Sequence, residues 1–303
     1  MGFLKEISKN KYLYILAIPG VLFQAIFSYI PMFGHLLAFK KYRLSLGILK
    51  SPWCGFDNFK FFFGTEDWYK VTFNTIFLNF LFITFTMIFA ILVAIFLNEI
   101  KNTIIKKFIQ SIIFFPYFVS WLVVSLMAFS MLNETDGFVN NIMVSIGYPK
   151  INFYSRPELW PPLLTLIYVW VFAGYYSIIF IAAILGIPQD CYESAKIDGA
   201  SKLQQILKIT LPLIRPTVII LVLLSIGRIF YSDFGMIYGI IGDNGVLFPT
   251  TDVIDTYSFR ALRQMGNFGM AAAVVLYQSI MGLITICIFN LIVKKIDPNS
   301  SLF

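Results

Sequence analysis

The residues best suited to binding chemistry form one short cluster. Arg228, Tyr231, Ser232 and Asp233 supply hydrogen-bonding groups, and Tyr231 and Phe234 supply aromatic faces. At helical spacing Arg228 shares a face with Tyr231 and with Ser232. This mixture suits a sugar, because its hydroxyls need polar partners while its C–H surface stacks on rings. We therefore predict that the cluster lines a solute path. The alternatives are that Arg228 pairs with Asp233 or reaches towards lipid headgroups.

Residues for catalysis or metal binding are nearly absent from the sequence. His35 is the only histidine, and Cys54, Cys191 and Cys287 are far apart. We therefore predict no metal site and no catalytic residue. The sequence also lacks the GxxxxGK[ST] phosphate loop, so the chain has no usual means of binding ATP.

The composition is that of a membrane protein. Hydrophobic residues make up 58% and charged residues 13% of the chain, whereas soluble domains have about 45–50% and about 25%. A cytoplasmic enzyme and a disordered protein are therefore excluded. The net charge of +7 is scattered between apolar runs rather than gathered in a stripe, so we expect no nucleic-acid partner.

Six apolar stretches are long enough to span a bilayer, which needs roughly 20 residues per helix. They predict an all-α polytopic fold with membrane lipid around it. The predicted transmembrane domain is 12–293, with spans at about 12–30, 73–97, 108–132, 161–187, 213–231 and 271–293.

The distribution of lysine and arginine orients these spans. One side carries twelve of them over roughly 60 residues, and the other carries ten over roughly 105 residues. The denser side is predicted to be cytoplasmic, so the N-terminus (1–11) and the tail (294–303) both lie there. The first outer loop is itself basic, which makes the bias modest. Residues 56–63 in that loop are predicted to form a short interfacial helix.

A long polar segment, 188–216, joins the fourth and fifth spans on the cytoplasmic side. Pro188 permits a helix to start, and Gly199 should end it. A second short helix then follows, before Pro212 and Pro216 break or kink the entry into the fifth span. Such a helix–turn–helix is either a docking surface or a packed structural loop.

This segment resembles the EAA loop of the permease subunits of binding-protein-dependent ABC importers. The matching residues are Glu193-Ser194-Ala195, Asp198-Gly199-Ala200, Ile209, Leu211-Pro212 and Pro216, with Ser194 replacing the family's alanine. Further stretches resemble the carbohydrate-uptake branch, and within it the permeases for polysaccharides and large oligosaccharides, of which maltose-type permeases are similar. These stretches are Leu97–Glu99, Phe115–Trp121, Asp136–Asn140 and Asp252–Tyr257.

The resemblance implies a type I ABC importer permease fold in which this loop docks on a separate ATPase. The implied contact residues are Glu193, Ser194, Ala195, Asp198, Gly199 and Ala200. This chain would bind no cofactor, and ATP and Mg would belong to the ATPase. The implied partners are two ATPase copies, a second homologous permease and an extracytoplasmic, lipid-anchored carbohydrate-binding protein. The implied location is a bacterial cell membrane.

Several other side chains are weaker candidates for the solute path. They are Trp170, Tyr175 and Tyr176 in the fourth span and Ser120 and Trp121 in the third. Two functional alternatives stay open: an importer permease for a non-sugar solute, and a self-contained channel or secondary transporter. The second is disfavoured because the sequence shows no convincing internal repeat.

Overall fold

The computed structural model describes residues 9–296, and within that range the chain is helical. The β-type pairing found there is an isolated bridge between Lys40 and Trp53. The predicted all-α fold class is therefore confirmed.

The helices follow one another with short connections. In chain order they are α1 Lys11–Gln24, α2 Ile30–Met32, α3 Gly47–Lys50, α4 Asp57–Phe63, α5 Asp67–Glu99, α6 Thr103–Phe114, α7 Trp121–Leu132, α8 Phe138–Ser145, α9 Trp160–Leu185, α10 Gln189–Ile197, α11 Lys202–Gln205, α12 Leu211–Ile226, α13 Phe234–Ile241, α14 Phe248–Thr251, α15 Ile254–Arg263 and α16 Phe268–Ile296. Short 3₁₀ segments lie at Phe33–Phe39, Phe115–Phe118, Phe153–Ser155 and Pro157–Leu159, and π-helical turns at Ala25–Tyr29 and Ile206–Thr210.

Five helical segments among the described residues are long and apolar enough to cross a membrane. They are Lys11–Phe39, Asp67–Glu99, Pro157–Leu185, Lys202–Ile226 and Phe268–Lys295. A sixth crossing exists if a bent pair of helices, Thr103–Phe118 and Trp121–Leu132, is taken as one span.

The third predicted span, 108–132, is thus not a single straight helix. Its two halves meet at an angle of 98°. Pro116 converts the end of the first half into a 3₁₀ turn, and Val119 and Ser120 are extended. The Ser120 hydroxyl then accepts a hydrogen bond from the Val123 N–H and caps the new helix. The bend therefore follows from a proline and a capping serine. The hydropathy of the run does not reveal the effect of either residue.

The fifth predicted span, 213–231, is displaced towards the N-terminus. The structure has one helical segment from Lys202 to Ile226, so the expected break at Pro212 does not occur. Pro212 lies in the first turn of α12, directly after the π-helical turn Ile206–Thr210. A π turn widens the helix locally, which relieves the clash of a proline ring with the preceding turn.

The described chain forms two compact units. The larger unit comprises Glu66–Tyr257 and residues 278–296. Its core lies mainly between α5 and α9, where Leu78 and Phe82 pack with Trp160 and Leu164. A second cluster towards the other end of these helices joins Ala94 and Leu97 to Phe180, Ile184 and Ile214.

The smaller unit comprises residues 9–65 and Ser258–Tyr277. Its α1 has no buried residue. The short helix expected at 56–63 is α4, and its Phe62 is fully buried. The Asn58 side-chain amide donates hydrogen bonds to the carbonyls of Leu37, Ala38 and Lys40. This one amide therefore fixes the backbone of residues 37–40 against α4.

Candidate functional site

The predicted binding cluster lies at a break in the helical path. Helix α12 ends at Ile226, residues 227–230 form turns, and residues 231–233 are irregular. Helix α13 then starts at Phe234. The premise that Arg228, Tyr231 and Ser232 share a helical face is therefore wrong. The residues lie in non-helical backbone because Gly227 ends α12 and Asp233 begins α13 as its N-cap.

Side chains from other helices satisfy the backbone groups that this break exposes. The Asn79 amide of α5 donates to the carbonyls of Ile229 and Tyr231 at 3.0 and 3.3 Å. The Gln278 amide of α16 donates to the Phe230 carbonyl at 2.7 Å. Irregular backbone is tolerated at membrane depth only where protein or water supplies such partners. Asn79 and Gln278 therefore stabilise the non-helical backbone of this break.

Asp255 of α15 supports the same segment. Its Oδ2 accepts hydrogen bonds from the Ser232 N–H at 2.8 Å and from the Gln278 amide at 3.0 Å. Burial raises the pKa of the Asp255 carboxyl above its ordinary value, and these two hydrogen bonds partly offset that effect.

Arg228 forms no ion pair with Asp233 among the described residues. Asp233 is engaged elsewhere, because its Oδ2 accepts a hydrogen bond from the Trp121 indole N–H at 2.7 Å. Its Oδ1 accepts one from the Met236 N–H at 3.1 Å, as expected of an N-cap. The Arg228 side chain is exposed, and no carboxylate of the described chain lies within salt-bridge distance of it.

The break faces a cavity of about 400 Å³ in the larger unit. All five residues of the predicted cluster line it: Arg228, Tyr231, Ser232, Asp233 and Phe234. The structure therefore brings the cluster together, although through a broken helix rather than a helical face. The volume falls within the usual range of small-molecule sites, about 300–1,000 Å³.

Two buried hydroxyls in the cavity wall have no partner in the described structure. They are Thr86 Oγ1 and Ser232 Oγ. Thr86 is 1% exposed, so its hydroxyl has left bulk water without a replacement hydrogen bond. Unsatisfied buried polar groups are rare in native proteins and call for a water or a ligand. Both oxygens have almost no accessible surface, so they lie within the wall and do not reach into the cavity.

The weaker candidates divide between this cavity and other places. Tyr176 lines the cavity, and Trp121 positions Asp233. Ser120 caps α7. Tyr175 stacks on Tyr117 with ring centroids 4.5 Å apart. Trp170 lines two apolar surface grooves and not the cavity.

Seven further cavity residues were absent from the predicted set. They are Asn79, Ile83, Thr86, Met87, Tyr168, Phe172 and Ser225. Tyr168 and Tyr176 are eight residues apart on α9, with Phe172 midway between them, so an i, i+4, i+8 aromatic stripe was the available signal. Asn79 and Thr86 are isolated polar residues in an apolar helix, the pattern that marks polar interior sites in membrane proteins.

The segment 188–216 forms the predicted helix–turn–helix. Helix α10 ends at Ile197, and Gly199 has φ +77°. The N–H of Ala200 bonds to the Ala195 carbonyl and that of Gly199 to the Lys196 carbonyl, which is the Schellman arrangement. Ser201 and Gln204 then form a capping box that starts α11.

The turn of this segment presents an exposed apolar and acidic surface. Ile197 is 87% exposed, and Glu193, Ser194, Asp198 and Gly199 are exposed as well. Ala195 and Ala200 are half-buried.

Three contacts fasten this segment to the membrane-spanning helices. The Tyr192 hydroxyl lies 2.9 Å from the buried Thr210 hydroxyl. Lys202 pairs with Glu99, the last residue of α5, at 2.8 Å. Gln205, which is buried, donates to the Ala200 carbonyl at 3.1 Å. These contacts connect the turn to the ends of α5 and α12.

The GxxxG spacing of Gly235 and Gly239 proves to be a packing face. A Cβ on Gly235 would lie 3.0 Å from the Trp121 ring, and one on Gly239 would lie 3.5 Å from Ser125 Cβ. The two glycines thus let α13 approach α7 closely, which keeps Trp121 within reach of Asp233.

Known proteins match this chain over nearly its full length. Protein LplB of Bacillus subtilis (strain 168) is 35% identical over 297 residues, covering 98% of this chain and 93% of that protein. The polygalacturonan/rhamnogalacturonan transport system permease protein YteP of the same organism is 35% identical over 290 residues, covering 96% and 90%.

A solved structure has the same fold. It is a chain of a bacterial ABC transporter involved in the import of the acidic polysaccharide alginate, with a TM-score of 0.88 and 32% identity. The match covers 97% of this chain and 99% of that one. The sequence profile of the binding-protein-dependent transport system inner membrane component also matches residues 86–298. This chain belongs to that family of inner membrane transport components.

Proposed function

We propose that this chain is the permease subunit of an ATP-driven importer of an oligosaccharide or polysaccharide. The observation that carries the proposal is the cavity beside the helix break. Arg228, Tyr231 and Asp233 line it, together with the rings of Tyr168 and Phe172. Hydrogen-bonding groups beside ring faces are what a sugar requires. The names of YteP and of the alginate transporter agree with a glycan cargo.

The energy for transport comes, in this proposal, from two copies of a separate ATPase. The chain has no phosphate loop of its own. The exposed turn with Ile197, Glu193 and Gly199 provides the docking surface. The Tyr192–Thr210 and Lys202–Glu99 contacts then carry the motion of the ATPase into the spans.

The remaining partners follow from the family and from the surface of the chain. A second permease completes the pathway, and an extracytoplasmic, lipid-anchored binding protein delivers the glycan. A related alginate transporter structure contains an alginate pentasaccharide-bound periplasmic protein, which supports this partner. Both termini of the chain are cytoplasmic in this proposal, as the lysine and arginine distribution predicts.

Reconstitution tests the proposal directly. The chain is co-expressed with a candidate second permease, a candidate ATPase and a candidate binding protein from the same organism. The complex is purified through a tag on this chain and placed in liposomes. We expect all three subunits of the membrane complex to co-elute and labelled oligosaccharide to accumulate only with internal ATP. Accumulation without an ATPase would instead support a self-contained channel or secondary transporter.

A cargo panel separates the sugar from the non-sugar alternative. Oligosaccharides, amino acids, peptides and metal ions are supplied to the same liposomes in turn. Transport of only non-sugar solutes would contradict the glycan proposal while leaving the ATP-driven permease intact.

A further inference from the structure

We propose that a pocket in the smaller unit binds the headgroup of an anionic phospholipid, and that Lys41 is the cation that contacts the lipid phosphate. The inference is independent of the cargo and of the ATPase. It assigns a class of ligand to a part of the chain that lies outside the cavity beside the helix break.

The position of this pocket along the chain places it at the membrane surface. The pocket has a volume of about 630 Å³, and all of its lining residues belong to the smaller unit. Its wall comes from two stretches, 40–61 and 265–269. The candidate span Lys11–Phe39 ends directly before the first stretch, and the candidate span Phe268–Lys295 begins within the second. Because the ends of spanning helices lie where the hydrocarbon core meets the headgroups, the pocket lies at headgroup depth.

The charges in the wall leave one cation for an anionic ligand. Three lysines and one acid line the pocket. Lys40 is buried, and its ammonium donates to two backbone carbonyls of α3 at 3.0 and 2.6 Å. Lys60 and the acid, Asp57, neutralise each other in an ion pair of 2.8 Å. Lys41 is exposed and forms no ion pair with a carboxylate of the described chain, so its ammonium is available to a phosphate.

Large apolar side chains on the same surface favour a lipid over a soluble anion. Phe61, in the wall of the pocket, is 66% exposed. Trp53, Phe56, Leu44 and Leu49 in the preceding residues are exposed as well. Aromatic residues are enriched at the level of the headgroups, and cations interspersed with exposed aromatic and leucine side chains are typical of surfaces that lie on an anionic membrane. A soluble phosphate would contact the cation but would leave these apolar groups in water.

The charge balance of the smaller unit points the same way. Its residues 31–65 and 258–270 contain seven lysines and arginines but only one acid, Asp57. In the proposed orientation these residues are outside the cell, where such an excess runs against the usual charge bias of membrane proteins. Anionic headgroups attract basic segments that lie next to a span, so lipid in the adjacent leaflet compensates this excess.

The test compares two lipids that differ only in their headgroups. The probes are dioleoyl phosphatidylglycerol, which is anionic, and dioleoyl phosphatidylcholine, which is zwitterionic. The full chain is delipidated in a neutral detergent and titrated with each lipid, and bound lipid is measured by native mass spectrometry. Glycerophosphoglycerol, which has the anionic headgroup without acyl chains, is the third probe.

Three variants accompany the wild type in these titrations. Lys41→Gln removes the charge, and Lys41→Arg keeps it. Lys50→Gln is the matched control, because Lys50 is an exposed lysine of the same unit that does not line the pocket.

We expect the wild type to bind phosphatidylglycerol about fivefold more tightly than phosphatidylcholine, the scale of one lysine near an anionic lipid surface. Lys41→Gln should weaken binding of phosphatidylglycerol about fivefold and change that of phosphatidylcholine less than twofold. Lys41→Arg should keep the preference, and Lys50→Gln should behave as the wild type. Glycerophosphoglycerol should bind far more weakly than phosphatidylglycerol. Retained binding of phosphatidylcholine shows that Lys41→Gln is folded.

Several results would overturn the inference. Equal binding of the two lipids by the wild type would refute recognition of the headgroup. Equal losses in Lys41→Gln and Lys50→Gln would indicate diffuse attraction by a basic surface instead of a site. A loss of both lipids in Lys41→Gln would make Lys41 a structural residue. Binding of glycerophosphoglycerol as tightly as phosphatidylglycerol would make the pocket a site for a soluble phosphodiester. Displacement of phosphatidylglycerol by a candidate binding protein would assign the pocket to that protein.

Discussion

Gly199 sets the shape of the turn between α10 and α11 through its backbone alone. Its φ of +77° is unfavourable for residues with a branched Cβ, and no atom lies within 4 Å of the place a Cβ would occupy. Gly199→Val should therefore strain the turn by about 1–2 kcal/mol and abolish most ATP-coupled uptake without preventing membrane insertion. Gly199→Asn, whose side chain tolerates this region, should keep most activity. Uptake assays normalised to membrane protein content measure both, and wild-type uptake by the valine variant would contradict the assigned role.

Gly174 marks a close approach of α9 to α6 in the larger unit. A Cβ at this position would overlap the backbone carbonyl of Ile113 on α6. Gly174→Ala should therefore push α6 away from α9 and destabilise the protein by about 1–3 kcal/mol. Thermal unfolding in detergent measures the loss. Gly20→Ala is the matched control, because its Cβ would meet nothing within 4 Å, and an equal effect of the two variants would refute the packing argument.

At the scale of elements, the broken helix makes stability depend on pH through Asp255. Burial raises the folded-state pKa of its carboxyl above the ordinary value of 3.8, so the folded state binds a proton more tightly than the unfolded state. The contribution of Asp255 to the free energy of unfolding should therefore be greatest below pH 3.8. It should fall as pH rises through the folded-state pKa and become constant above that pKa.

The variant Asp255→Asn tests this linkage. This variant should remove the fall in stability that Asp255 causes as pH rises. It should be at least as stable as the wild type at neutral pH, because asparagine keeps an acceptor oxygen without a charge. Unfolding temperatures measured across pH 4–8 check the prediction. Asp243→Asn, at an exposed site, is the control. If the unfolding temperature of Asp255→Asn fell more steeply with pH than that of the wild type, the predicted direction of the pH dependence would be wrong.

The link between α10 and the segment before α12 gives a second element-scale prediction. Tyr192→Phe removes the contact with the buried Thr210 hydroxyl, worth about 0.5–1.5 kcal/mol. We expect ATP hydrolysis by the assembled complex to continue while uptake per ATP falls. Tyr148→Phe, at a 62% exposed position, should leave the ratio unchanged. A normal ratio in Tyr192→Phe would exclude this contact from coupling.

The elements most visible in the sequence were the long apolar helices and the glycine-centred turn. Hydropathy identifies α5, α9 and α16 because lipid-facing helices need uniformly apolar surfaces. It does not reveal the 98° bend before Trp121 or the end of α12 at Ile226, since these depend on a cap, a proline and a π turn. The role of Asn79 was equally hidden, because its carbonyl partners are 150 and 152 residues away.

At the scale of the whole molecule, the chain carries surface that only partners or lipid can cover. Helix α1 has no buried residue, and Leu16 in it is 77% exposed. A partner that binds only the folded chain raises its stability. We expect a higher unfolding temperature for the chain purified with its second permease than for the chain alone in the same detergent. Equal temperatures, with both proteins still co-eluting, would contradict an extensive permease–permease interface.

The dependence of the break on Asn79 and Gln278 has a consequence for protein engineering. The residues 227–233 do not encode their own conformation, because the donors that satisfy them come from α5 and α16. If this heptapeptide were transferred into a homologous protein without Asn79 and Gln278, we expect it to form a continuous helix or an unstable segment. Its evolution is correspondingly tied to two distant positions, so substitutions there should be accepted only as a set.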